Sequence, residues 1–278
     1  MTEKAPGPAA KLPVLFFWLG CLALLSSCTL TPQYHDELRD SLASRPDIRV
    51  SIVQGGEFDL LAIAHRTTSQ RARLYLEGDG RPWLAGGTRV SEDPTPRNPL
   101  VRRWMLQDPG PALYLGRPCY FGLGPTPPCH PALWTFSRYS EEVLDALVEA
   151  AETWLDANET IESLTLVGHS GGGVLALLLA EHLARADRVL ALATPVDTEA
   201  WADLHGHTRL FDSLNPAAQA NWREGVERVF LFGADDKTVP PHNFVEAALA
   251  IPGSQVITVP GEGHLCCAPQ RALTATSR

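Results

Sequence analysis

Short apolar runs of strand length alternate with longer stretches of helical period along most of this chain. Residues 48–53 and 58–65 read as two strands joined by Gln54-Gly55-Gly56-Glu57, a hairpin-like turn. Further strands are expected at residues 74–76, 112–116, 164–167, 188–194, 229–233 and 255–259. Residues 140–158 place Val143, Leu144, Leu147 and Trp154 on one face and carboxylates elsewhere, the pattern of an amphipathic helix, with Ser140 as its N-cap. The Leu- and Ala-rich residues 174–184 and residues 241–251 predict two more helices, while the Pro-rich residues 84–111 read as a loop anchored by Trp104 and Met105. This rhythm predicts an α/β fold: a mostly parallel central sheet with helices on both faces, antiparallel only near residues 48–65.

The first apolar stretch has another character. Lys4 and Lys11 precede the uncharged residues 12–25, as in a secretory signal segment. It ends in Leu25-Ser26-Ser27-Cys28, which resembles the bacterial lipobox. That resemblance implies removal of residues 1–27 and acylation, palmitate included, of Cys28. Cys21 fits less well, because Trp18 stands where an aliphatic residue belongs. The alternatives are an ordinary signal peptide or an uncleaved anchor, for which the stretch is short. Thr29 rather than Asp after the cysteine points to the outer membrane, so the expected location is the periplasmic side of a bacterial cell envelope. Residues 28–47 are polar, with Pro32 and Pro46, and form a tether with room for a short helix, ahead of a domain spanning residues 48–278.

At 278 residues, 45% hydrophobic and 20% charged, the chain suits one sizeable domain. A net charge of -9 without any Lys/Arg cluster excludes nucleic acid as an expected partner. Export would put the cysteines in an oxidising compartment. With Cys28 taken by lipid, Cys119, Cys129, Cys266 and Cys267 allow three pairings. Cys119–Cys129, closing a short loop, is preferred, which leaves Cys266 and Cys267 as a vicinal pair or as free thiols. Their spacing is not that of two CxxC arms, and no carboxylate–histidine set completes His205 and His207, so no metal site is assigned.

The candidate chemistry sits where a strand meets a helix. Gly168-His169-Ser170-Gly171-Gly172 is a G-x-S-x-G sequence, a turn that leaves a serine hydroxyl exposed at its tip. Gly168 and Gly172 would let strand and helix pass closely. A glycine-rich turn with a capping serine is the plainer alternative. Downstream, Gly233-Ala-Asp-Asp236-Lys-Thr-Val239-Pro240 closes one strand, and Gly261-Glu-Gly-His264 follows the next. One helix and one strand separate them, which brings both to the same carboxyl edge of the sheet.

Ser, Asp and His in that chain order resemble the α/β-hydrolases. The family's G-x-x-D-x-x-V-P segment aligns Gly233, Asp236, Val239 and Pro240, and so selects Asp236 over Asp235. The resemblance implies a Ser170 nucleophile, a His264 base, an Asp236 orienting acid and no organic or metal cofactor. It also implies an oxyanion hole from the N–H groups of Gly171 and of Asp79, in the loop Glu77-Gly78-Asp79-Gly80, where Glu77 replaces the family's usual histidine. Residues 195–225, with Trp201, His205, His207, Phe211 and Trp222, fall where the family inserts a cap, and are equally readable as a surface excursion. The run from Tyr114 to Cys119 (Tyr-Leu-Gly-Arg-Pro-Cys), followed by Trp134, Arg138 and Tyr139, resembles a group of bacterial lipoproteins classed with this family. Two functions follow as expectations. One is a membrane-anchored serine hydrolase acting on the ester, thioester or amide bond of a small-molecule or lipid-like acyl substrate. The other is a non-catalytic lipoprotein serving as a binding module of the envelope.

Overall fold

The apolar runs assemble into one mixed sheet, described by a computed structural model over Thr2, residues 34–124 and residues 127–269. Cys28 and the lipobox lie outside the described residues. Helix α1 (Tyr34–Ser41) leads into the hairpin of β1 (Ile48–Gly55) and β2 (Phe58–His65). Their register runs from Ile48↔His65 to Gly55↔Phe58, so Gly56 and Glu57 form the tip, with Gly56 at φ 58°. There follow β3 (Arg71–Leu76), a small ribbon of β4 (Trp83–Leu84) and β5 (Arg89–Val90), α2 (Leu100–Met105), β6 (Ala112–Leu115) and α3 (Glu141–Asp156). The second half alternates: β7 (Ser163–His169), α4 (Gly171–Leu179), β8 (Ala186–Leu192), α5 (Thr198–Leu204), β9 (Glu227–Gly233), α6 (Pro241–Ala250) and β10 (Ser254–Val259).

The strand order is β1-β2-β6-β3-β7-β8-β9-β10, with helices packed on the faces of the sheet. From β6 to β10 every pairing is parallel. Antiparallel pairing reaches one strand further than the hairpin, because β2 also pairs antiparallel with β6 through Ala62–Ala64. Covered strands are apolar on both faces: Leu164, Leu166 and Val167 of β7 and Val189 to Leu192 of β8 are wholly buried. Each such leucine or valine contributes about 1.5–3 kcal/mol relative to leaving it in water. Ser140 caps α3 by accepting from the Val143 N–H at 3.4 Å. Among the described residues no helix is long and apolar enough to cross a membrane.

Three segments depart from the expected pattern, each through a long-range contact. The stretch 84–111 is not loop throughout, since it holds the β4–β5 ribbon and α2. Helix α2 starts after Pro99 because the buried carboxylate of Glu77, distant in sequence, accepts from the Val101 N–H at 3.1 Å and the Arg102 N–H at 3.3 Å. That caps its open amides as a local residue ordinarily would. Helix α4 stops at Leu179 rather than 184. There the Glu181 and His182 N–H groups turn to the carbonyls three residues back, and Glu181 is drawn to Arg228 at 2.6 Å. The packed body also begins before Ile48: Leu38 is buried, and the Tyr34 hydroxyl accepts from Arg102 Nη1 at 2.6 Å.

Candidate active site

β7 ends at His169 and α4 begins at Gly171, so Ser170 alone carries the reversal, at φ 54° and ψ −124°. A non-glycine residue resists that conformation, and it persists only where its surroundings fix it. Here the Ser170 N–H donates to Leu192 O at 2.8 Å, and Ser170 O accepts from the Gly173 N–H at 2.9 Å. A Cβ on Gly168 would overlap the Gly172 carbonyl, and one on Gly172 would overlap Leu76 O. Both glycines therefore permit a close passage of strand and helix.

Two loops from neighbouring strand ends meet this serine. His264 Nε2 lies 3.2 Å from Ser170 Oγ, and its Nδ1 lies 2.9 Å from Asp236 Oδ2. The other oxygen, Oδ1, accepts from the N–H groups of Thr238 and Val239 at 2.8 and 2.9 Å. Burial works against ionisation of Asp236, but the His264 bond and these N–H groups outweigh it and hold the carboxyl below its ordinary value. Asp235, its neighbour, is exposed. The loops are tied to each other by the Asp235 N–H donating to Glu262 O at 2.8 Å.

His169, between the first glycine and the serine, has a part that its place in the motif did not reveal. Its ring is buried, with Nε2 2.7 Å from His264 O. Burial, reinforced by the nearby His264, lowers it to about 4, so it is neutral near pH 7 and can donate Nε2–H to that carbonyl. The signal was present, since a histidine at a buried strand end needs a partner, but the partner is far along the chain.

On the opposite side, the loop after β3 touches the serine: a Cβ on Gly78 would lie 3.5 Å from Ser170 Cβ. The carboxylate of Asp79 is gripped from three directions. Arg117 Nη1 donates to Oδ1 at 2.6 Å, Arg138 Nη1 to Oδ2 at 2.9 Å, and the Tyr139 hydroxyl to Oδ2 at 2.7 Å. The Tyr120 hydroxyl donates to Asp79 O at 3.0 Å. Burial would raise the Asp79 carboxyl, but Arg138 and Arg117 outweigh it and bring it to about 2. A Cβ on Gly171 would overlap Asp79 Oδ1 and the Tyr139 hydroxyl, so this cluster rests directly against the start of α4. The N–H groups of Asp79 and Gly171 have no protein acceptor among the described residues. The Arg117, Arg138 and Tyr139 of the Tyr-Leu-Gly-Arg-Pro-Cys pattern thus converge on one carboxylate. The sequence offered the pattern without its focus.

Cys119 and Cys129 are bonded, with Cα atoms 5.5 Å apart, and staple the loop that carries Tyr120. Cys266 and Cys267 are bonded to each other in the buried turn beyond His264. His205 Nε2 lies 2.8 Å from Thr238 O, and Trp201 Nε1 donates to the same oxygen at 3.0 Å, so these residues of segment 195–225 brace the Asp236 loop. Among the described residues no group of three or more His, Cys, Asp or Glu side chains is placed to hold a metal ion.

No family model matches this chain, and no curated protein matches it in sequence. Its fold does match solved structures. An α/β serine hydrolase without a lid from Xanthomonas campestris is similar over 79% of this chain and 87% of that one, with 15% identity and a TM-score of 0.50. A Pyrococcus furiosus esterase is similar over 85% and 88%, with 13% identity and a TM-score of 0.56. A puromycin hydrolase is similar over 83% of this chain but only 37% of its own length, with 15% identity and a TM-score of 0.58. The chain has the α/β-hydrolase fold.

Proposed function

We propose that this protein is a serine hydrolase that cleaves carboxylic esters, thioesters or amides through an acyl-serine intermediate, and that it is anchored to the bacterial envelope by a lipidated Cys28. The observation carrying the reading is the hydrogen-bonded line from Asp236 through His264 to Ser170. With Nδ1–H donated to Asp236, the His264 Nε2 is free to accept the serine proton as Oγ attacks the carbonyl carbon. The Asp236 carboxylate then stabilises the imidazolium. Negative charge on the tetrahedral oxygen is received by the N–H groups of Gly171, at the positive end of α4, and of Asp79. As the bond to the leaving group breaks, His264 returns its proton to that group. Water, deprotonated by the same imidazole, releases the acid. The fold's resemblance to a serine hydrolase and an esterase supports the ester as the first substrate to try.

A fluorophosphonate probe should label the wild type, and Ser170→Ala should lose the label. Equal labelling of both would refute Ser170 as nucleophile, and an unlabelled but folded wild type would favour the non-catalytic binding module. For the anchor, each buried acyl methylene contributes about 0.8 kcal/mol of membrane affinity. Radiolabelled palmitate should enter the wild type and be lost in Cys28→Ser; incorporation retained by that variant would remove the lipid from the proposal.

A further inference from the structure

A cavity of about 490 Å³ opens between the two halves of the candidate site without including Ser170 in its walls. Its apolar lining is aromatic, from Trp83, Phe136 and Trp201, with Leu210 beside them. One lining residue is Arg138, whose Nη1 holds Asp79, and another, Trp201, bonds the carbonyl of Thr238 in the Asp236 loop. The cavity is therefore linked to both the oxyanion loop and the acid loop.

The charges around it do not cancel. Two buried guanidiniums, Arg117 and Arg138, share one carboxylate, that of Asp79. Arg117 is covered by the rings of Tyr120 and Tyr139, at 5.3 and 5.4 Å; its second amino group is spent on Arg138 O at 2.6 Å, and its Nε is buried without a partner among the described residues. Arg138 is different. Its side chain is only 6% exposed; Nε donates to Thr135 O and Nη1 to Asp79, but Nη2 has no protein partner among the described residues. No carboxylate lines the cavity that this guanidinium borders. That donor is not sealed off from solvent, and Arg138 lines the cavity, so an anionic group brought by a ligand can meet it with a charge-assisted hydrogen bond. We infer that this cavity is a subsite for an organic acid, an apolar and preferably aromatic body whose carboxylate is met by Arg138, and that it receives the part of the substrate remote from the bond cleaved. As a substrate subsite this rests on the hydrolase reading above; as a ligand site it does not.

The test measures binding of 2-naphthoate and of its neutral amide, 2-naphthamide, by quenching of tryptophan fluorescence and by calorimetry on the whole chain. The naphthoate should bind the wild type about tenfold more tightly than the amide, as expected for one hydrogen bond to a charged group. Arg138→Gln should erase that ratio. Because this substitution also touches Asp79, Trp83→Ala serves as the second variant: it leaves the ion cluster intact and should weaken both ligands by similar factors. A ratio near one in the wild type, a ratio that survives Arg138→Gln, or unchanged binding in Trp83→Ala would each overturn the assignment. Naphthoate should also slow fluorophosphonate labelling of Ser170. Labelling indifferent to bound naphthoate would overturn the substrate role. Naphthoate bound as described to a chain that takes no label would leave the ligand site standing and remove the hydrolase reading.

Discussion

On the acid–base side of Ser170 the groups are held mainly by the main chain. Asp236 is fixed by two backbone N–H groups, the loops by a backbone bond between residues 235 and 262, and the His264 carbonyl by the neutral ring of His169. On the oxyanion side the work falls to charged and phenolic side chains, which reach Asp79 from residues 38 to 60 positions away. A main-chain frame can keep an imidazole and its single carboxylate partner, Asp236, aligned while the ring cycles between neutral and charged. A backbone donor awaiting an oxyanion needs the reverse, a loop locked before charge appears.

Removing one group from each side gives the sharpest contrast. His264→Ala takes away the proposed proton carrier and should lower ester turnover by about 10⁴ or more, with a small change in melting temperature, because the ring is only partly buried and its partner Asp236 keeps the Thr238 and Val239 N–H groups. Asp79→Asn keeps the backbone N–H but leaves Arg117 and Arg138 facing each other. Turnover should fall by about 10² through loss of a fixed donor. Stability should fall as well, by about 3 kcal/mol for uncompensated buried charge. Thermal unfolding and kcat measured together test the pair. An Asp79→Asn variant as stable as wild type would mean that the cluster does not brace the loop.

The contrast also explains how far the chain could be read unaided. The strands, the Gly168–Gly172 turn and the acid and histidine loops were legible because each is a local pattern closing one strand, and parallel topology alone carries such ends to a common edge. Gly233-Ala-Asp-Asp236 could be placed at a strand end from its own neighbours, while the choice of Asp236 over Asp235 came from the resemblance to the family's segment. The grip on Asp79 could not, since nothing near residues 77–80 announces Arg117, Arg138 or Tyr139. Helix α2 was missed for the same reason, its cap being Glu77, and α4 was overextended because propensity within 174–184 takes no account of Glu181 reaching Arg228.

His169 sharpens the comparison by its dependence on pH. Its proton affinity in the folded chain is lowered to about 4 from 6.5, so the unfolded chain binds the proton first as pH falls. The stabilisation is therefore present above pH 6.5 and is lost down to about pH 4, a loss on the order of 3 kcal/mol. His169→Gln keeps a donor for His264 O but cannot titrate, so it should flatten that part of the stability curve and keep turnover within a fewfold of wild type. His169→Ala should lose about tenfold in kcat through the freed His264 loop. Denaturant unfolding from pH 7 to 4 reads the first effect. Should Gln and Ala lower kcat equally, the bond to His264 O would have no positioning role.

Glu77 predicts the smallest change, and its sign is informative. The carboxylate caps α2 through Val101 and Arg102, yet burial outweighs those N–H groups and raises its proton affinity above the ordinary value. A carboxyl shifted upward contributes stability at low pH and loses it as pH rises through the raised value. Glu77→Ala removes the cap and should cost about 1 kcal/mol. Glu77→Gln keeps an acceptor without the charge, so at pH 7 it should equal or exceed wild type in stability, with wild type gaining on it as the pH drops toward 4.5. Neither substitution should change kcat more than about twofold, because neither removes a group from the Asp79 cluster. A large kinetic loss in Glu77→Gln would instead place this carboxylate, rather than the Asp79 cluster alone, in control of the oxyanion loop.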